Sequence, residues 1–300
     1  MIRPRYLKKG DTVGIVAPAG ALFENEMAQA VEMIRSWGLE VVYGKYLFRR
    51  RHSFAGTDKQ RAEDFQHMLD NSDIKTILCA RGGYGAIRII SLLDFGMFQK
   101  NPKWIAGYSD ITVLHGAVHN LGVETLHSVM PRTVPPKEPD LVSMESLRAM
   151  LFGETGEYKL DVHPMNRKGN ASGILVGGNL SVLYGLAGTE YEPEMNGKVL
   201  FIEDLSEYLY HIDRMMMSLK IRGKLAGIKG LIVGDMLDMK SSSSGFKKPA
   251  YKIIEEAVKE YHYPVLFGFP AGHGDRNLAL PLGREVEVRV GEKGSYVVFK

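Results

Sequence analysis

The chain of 300 residues holds one cysteine, Cys79, so an intrachain disulfide framework is excluded. Its formal charge is only +3 at pH 7, which points to neither a nucleic-acid nor an anionic-membrane partner. No stretch approaches the roughly 20 apolar residues that span a bilayer. The N-terminal stretch MIRPRYLKKGDTVGIVAPAG is basic but has no signal-peptide core, because its apolar run contains Gly14 and stops at Pro18. No internal repeat is visible. The expectation is a cytoplasmic protein in a reducing compartment.

What is present is an ordinary globular composition, 45% hydrophobic and 24% charged, in a chain long enough for two domains. The first half alternates apolar strands (TVGIVAPA, LEVVYG, IKTILCA, KWIAGY, VETLHSVM) with helical patterns. Met27, Val31, Ile34 and Trp37 share one helical face, and Thr57 with Gln60 forms a capping box. This rhythm predicts an α/β domain with a parallel sheet and helices on both faces, over residues 1–153. Ligands of such sheets bind beyond the carboxyl ends of the strands, where RGGYG and GYSD fall.

The proline-rich PRTVPPKEPD and a helix ending near Gly153 lead into an expected linker over 154–169. Residues 170–300 read as a smaller mixed α/β domain with a terminal hairpin around GEKG and a mobile loop, MKSSSSGFKK.

Ser109 stands where the strand KWIAGY runs into the helix DITVLHGAVHNLG. That is the setting of a nucleophile elbow, although Ile111 replaces the second glycine of G-x-S-x-G. The Asp110 N–H would then face developing negative charge at a helix N-terminus. The competing reading is that Ser109 or Asp110 merely caps the helix; the segment alone favours the cap.

A serine nucleophile needs a base and a group to orient it. His115 and His119 lie four apart without a glutamate between them or a third ligand, so no metal is expected, and they read as surface or interface residues. His52 belongs to a basic run, and His127 reads as packing. His273 sits in GFPAGHGDRN between Gly272 and Gly274, either in a plain turn or where backbone approaches a ligand. Glu203, ending the strand VLFIED, can orient an imidazole while Asp204 caps the following helix, or both acids can simply favour its dipole. RGGYG matches no nucleotide fingerprint, and its glycines can expose a second oxyanion donor.

Taken in order, GDTVGIVAPAG, AGTDKQRAEDF, ARGGYGAIRII, GYSDITVLH, GGNLSVL, LFIEDLSEYLYHIDRM and PAGHGDRNLALPLG resemble the LD-carboxypeptidase family, the serine peptidases S66, over nearly the whole chain. The resemblance implies a triad of Ser109, Glu203 and His273, with oxyanion donors at the backbone of Asp110 and Gly83. It implies no metal and no organic cofactor. The implied activity is release of terminal D-alanine from muropeptide tetrapeptides in cell-wall recycling, by way of an acyl-enzyme. The implied fold is a flavodoxin-like N-terminal domain and a swivelling β/β/α-type C-terminal domain, with the active site between them, in a homodimer.

Many relatives write a proline pair and an arginine where this chain has Tyr208, Leu209 and His211, which bears on peptide preference. Arg81, Tyr84 and Arg284 are candidates to meet a substrate carboxylate. Two alternatives stand beside this reading. One is a microcin C immunity-type hydrolase of aminoacyl-adenylate amides, with Tyr184 and Tyr191 available to stack a base. The other is a non-enzymatic two-lobed small-ligand-binding protein.

Overall fold

The computed structural model describes residues 1–134, 141–154, 156–241 and 245–300. The expected proline-rich connector lies outside the described residues from 135 to 140, as does the centre of the serine-rich loop, 242–244. The chain divides into two compact units, Met1–Thr155 with Leu278–Pro281, and Gly156–Asn277 with Leu282–Lys300.

In chain order the first unit holds β1 (Thr12–Val16), β2 (Glu40–Tyr43), β3 (Ile74–Cys79), β4 (Trp104–Gly107) and β5 (Thr125–His127). The second holds β6 (Glu157–Leu160), β7 (Gly169–Asn179), β8 (Val199–Leu205), β9 (Gly230–Leu237) and β10 (Val265–Phe267). The chain then gives β11 (Leu280–Leu282) to the first sheet and ends with β12 (Glu285–Val290) and β13 (Ser295–Phe299) in the second.

The first sheet runs β11-β5-β4-β3-β1-β2, and β1 to β5 pair in parallel. The order 2-1-3-4-5 is that of a flavodoxin-like doubly wound sheet, whose switch point lies between β1 and β3. Every residue of β4, and all but one of β1 and of β3, is buried, as continuous apolar strands in a covered parallel sheet should be. Each of these strands ends in a glycine-bearing loop: Gly20 after β1, RGGYG after β3, and Gly107 at the end of β4.

The helix expected to carry Met27, Val31, Ile34 and Trp37 on one face starts only after Met27. A 3-10 turn covers Glu24–Glu26, and the α-helix begins at Ala28, with Met27 buried at the break. The Thr57 capping box forms in both directions, Gln60 N to Thr57 Oγ1 at 3.2 Å and Thr57 N to Gln60 Oε1 at 2.9 Å.

The second sheet runs β10-β9-β8-β7-β12-β13-β6, with β7 to β10 parallel and β12, β13 and β6 antiparallel. Part of the segment expected as a linker is therefore the edge strand β6. Helices Leu209–Ile221 and Ala250–Ala257 bury Ile212, Met216, Ile253 and Ile254 with Leu200, Ile202, Leu231 and Val233 in one core. In the first of these helices Leu209, Ile212, Met216 and Leu219 recur at helical spacing, which makes that face apolar.

Close pairing of β7 with β8 depends on Gly177. Its φ is +138°, and a Cβ there would lie 1.8 Å from the Phe201 carbonyl oxygen. Gly177→Ala should therefore lower unfolding stability by about 3 kcal/mol or more, the sum of backbone strain and overpacking. Urea titration of the purified variant checks this; a loss within experimental scatter of zero would contradict it.

Candidate active site

In the second unit the arrangement begins with a bulge. The register of β8 on β9 slips between Ile202 and Asp204, so that Ile202 faces Val233 while Asp204 faces Met236. Gly234 and Asp235 together oppose Glu203, the two-against-one count of a β-bulge, a device that re-aims side chains. Adjacent strand residues point to opposite faces, and the two acids of VLFIED separate accordingly.

Glu203 is fully buried, and its Oε2 lies 2.7 Å from Nδ1 of His273. Asp204 turns the other way. Its carboxylate accepts from Ser181 N at 2.8 Å, Leu205 N at 2.8 Å and Asn179 Nδ2 at 3.1 Å. It thus serves the start of helix Leu180–Gly185, where Asn179 is the cap. This corrects the expectation that Asp204 caps the following helix, whose N-cap is Tyr208. Burial, with the charge of Glu203, pushes the Asp204 carboxyl up to about 7 against its hydrogen bonds.

The His273 loop is held along the end of β9. Asp235 N donates to Ala271 O at 3.1 Å, and Asp235 Oδ2 accepts from Gly274 N at 2.8 Å. Both flanking glycines are needed. A Cβ on Gly272, at φ +133°, would lie 2.9 Å from Glu203 Oε2, and one on Gly274 would lie 2.7 Å from Asp235 Oδ2. Burial pulls the imidazole pKa of His273 down, but the hydrogen bond and charge of Glu203, with Asp204 and Asp235 behind it, outweigh that pull and raise it. Glu203 Oε1 is buried and makes no hydrogen bond to the described residues, a cost borne at the one point where the carboxylate meets an imidazole.

In the first unit Ser109 follows β4 at a turn with φ +63°, a left-handed conformation that is costly for a residue with a side chain. A 3-10 turn over Ser109–Ile111 then opens the helix Thr112–Asn120, and neither start has a side-chain cap bond. Asp110 does not cap either. Its Oδ2 accepts from Ala86 N at 2.7 Å, which ties the GYSD turn to the RGGYG loop. Burial pushes the Asp110 carboxyl up to about 6, with the loop N–H groups and Arg61 offsetting part of the rise.

The buried Arg61 grips the same loop from its other side, donating to Gly85 O at 2.8 Å and to Pro18 O. Gly82 abuts the serine, since a Cβ there would lie 3.0 Å from Ser109 Cβ and 3.2 Å from its Oγ. Gly83 carries φ +102°. Of the other candidates, Arg81 is half-buried, Tyr84 is exposed against Phe54, and Arg284 is buried in the second unit.

His115 and His119 are buried, not superficial as expected. His115 Nε2 lies 2.9 Å from Gly107 O, and burial drives its pKa down to about 4, so it is a neutral strut under the turn before Ser109. His127 packs edge-on against Tyr108. Among the described residues no group of three or more His, Cys, Asp or Glu side chains is arranged to hold a metal ion. No described helix is long and apolar enough to cross a membrane.

Sequence reasoning missed Asp235 and Arg61. The first had a legible signal, an acid directly after a buried run in GLIVGD, just as Glu203 follows the apolar run of VLFIED. The second had none, because nothing in TDKQRAEDF says which cation turns inward.

Two family models match, the LD-carboxypeptidase N-terminal domain over residues 13–128 and the LD-carboxypeptidase C-terminal domain over residues 172–288. A probable murein peptide carboxypeptidase of Bacillus subtilis is 36% identical over 299 residues, covering 98% of this chain and 94% of that protein. The microcin C7 self-immunity protein MccF of Escherichia coli is 28% identical, covering 94% and 91%. The crystal structure of muramoyltetrapeptide carboxypeptidase from Oxalobacter formigenes superposes with a TM-score of 0.87 at 26% identity, over 96% of this chain and 98% of that one.

Fold and relatives together define a two-unit α/β hydrolase, which removes the non-enzymatic alternative. The chain belongs to the LD-carboxypeptidase family.

The Glu203–His273 pair yields a direct prediction. Glu203→Gln keeps a polar group beside Nδ1 and removes the charge, so the His273 pKa should fall below that of the parent protein. Ring-proton NMR titration measures it; an unmoved midpoint would contradict the stated cause of the shift.

Proposed function

We infer that the protein is a serine carboxypeptidase that removes terminal D-alanine from muropeptide tetrapeptides. The observation that carries this reading is the buried Glu203 carboxylate bonded to His273 Nδ1. It is the acid–imidazole half of a serine relay, and it accompanies a serine at a strained strand-to-helix turn. The relatives named murein peptide carboxypeptidase and muramoyltetrapeptide carboxypeptidase support the substrate class.

In this mechanism Ser109 Oγ attacks the carbonyl of the amide that follows the L-centre of the diamino acid, and His273 takes the hydroxyl proton. Glu203 fixes the ring and stabilises the imidazolium. The oxyanion is held by the N–H groups of Asp110 and Gly83. Collapse of the tetrahedral adduct expels D-alanine, whose amine takes the proton from His273. Water then adds to the acyl-enzyme with His273 as base, and release of the tripeptide restores Ser109. The reading assigns the reaction to cytoplasmic cell-wall recycling, in a homodimer.

A second reading, hydrolysis of aminoacyl-adenylate amides by the same groups, draws on the likeness to MccF and on the exposed Tyr184, available to stack a base. Mass spectrometry after incubation with each substrate separates the two. We expect loss of one alanine from a tetrapeptide ending in D-alanine, and no turnover of an aminoacyl-sulfamoyl adenylate.

Ser109→Ala should cut tetrapeptide hydrolysis by about 10⁴-fold or more with the fold retained; turnover at the parent rate would refute the nucleophile. The base must be neutral to act, so a raised His273 pKa shifts the acid limb of the kcat/KM profile to higher pH than ordinary histidine gives. A pH–rate profile checks that limb.

A further inference from the structure

Arg81 opens the RGGYG loop, and its neighbour Gly82 abuts Ser109. Its guanidinium is half-buried and donates through Nη1 to the Ala21 carbonyl. Gly20 makes room for it, since a Cβ there would lie 3.0 Å from Arg81 Nε. Among the described residues Arg81 has no carboxylate partner.

Three neighbouring arginines do have one. Arg61 and Arg88 both pair with Asp58, and Arg132 pairs with Glu26 at 3.0 Å. Glu26 is further occupied by the Phe23 N–H at 2.7 Å. Arg132 also stands close by, its own N–H donating to Ala80 O at 3.0 Å. Burial lowers the Arg81 pKa first and repulsion from Arg132 lowers it next, with Glu26 pulling it back and Arg50 adding a smaller push downward.

A partly desolvated guanidinium next to like charges and without a bonded carboxylate is costly to the empty protein. The cost falls away when a carboxylate arrives, because planar N–H donors match that group in two parallel bonds. The one carboxylate that every substrate of a carboxypeptidase must present is the free chain end. An enzyme that counts from that end needs a fixed cation on the leaving-group side of the nucleophile, and Arg81 lies one residue from the glycine packed on Ser109.

We propose that Arg81 forms the subsite for the terminal carboxylate of the departing D-amino acid and so enforces single-residue cleavage. This rests on the carboxypeptidase reading above. It also gives a physical criterion against substrates that lack a free terminal carboxylate.

The test is kinetic. The parent protein, Arg81→Gln and Arg81→Lys are each assayed by mass spectrometry on a tetrapeptide ending in D-alanine and on the same peptide with its C-terminus amidated. The parent should favour the acid. Arg81→Gln should lose about 100-fold in kcat/KM on the acid, the cost of removing one partner of a desolvated charge pair. On the amide it should stay within about threefold, because no anion is there to lose. Arg81→Lys should fall between, since a lysine keeps the charge but not the two-pronged geometry.

A general loss of structure would depress both peptides together, so the ratio of acid to amide is the deciding quantity. An unchanged ratio in Arg81→Gln overturns this inference alone. A parent protein that cleaves neither peptide overturns the carboxypeptidase reading, and this inference with it.

Discussion

A single hydrogen bond, from the imidazole of His273 to the carboxylate of Glu203 at 2.7 Å, is the interaction around which the second unit is arranged. A carboxylate with no solvent contact and one unbonded oxygen is an expensive object in a protein interior. It persists here because the surrounding backbone leaves it little else to do. The bulge in β9 directs Glu203 to one side, Asp204 goes to the opposite side to serve another helix, and Asp235 secures the histidine loop by an N–H and a carboxylate. Gly272 and Gly274 let that loop lie against two acids without steric conflict. The consequence is a histidine whose basicity is raised despite burial.

The first unit solves a matching problem with different means. On the proposed mechanism, Ser109 stands in a left-handed turn and donors stand ready in a glycine loop. Asp110 fastens the loop by its Ala86 N–H, and Arg61 fastens it by the Gly85 carbonyl. Neither side chain needs to touch a substrate to matter, since positioned donors stabilise charge without reorganising when it appears. The same loop leaves Arg81 without a bonded carboxylate among the described residues, while Arg61, Arg88 and Arg132 each have one.

Much of this is legible in the sequence, for identifiable reasons. Largely apolar runs such as IKTILC and WIAG read as covered parallel strands, and the Thr57 capping box announces its helix through local chemistry alone. Glu203 and His273 stand out because an acid directly after a buried apolar run and a histidine between glycines are each odd. Burial is less legible. His115 and His119 lie on a helix whose every other face is also covered, so no polar stripe marks them as interior. The edge strand β6 reads as linker because EYKL is short, half exposed and paired only to the distant β13. Asp110 reads as a helix cap or a backbone donor, whereas its side chain reaches a loop more than twenty residues earlier in the chain. Local pattern cannot report such a partner.

The most direct test of the serine relay is the rate at which a fluorophosphonate phosphonylates the protein, a mimic of the first chemical step, followed by intact-protein mass and peptide mapping. One adduct is expected, on Ser109, formed at least about 100-fold more slowly when His273→Ala removes the base. Equal labelling rates in parent and variant, or an adduct on another residue, would contradict it.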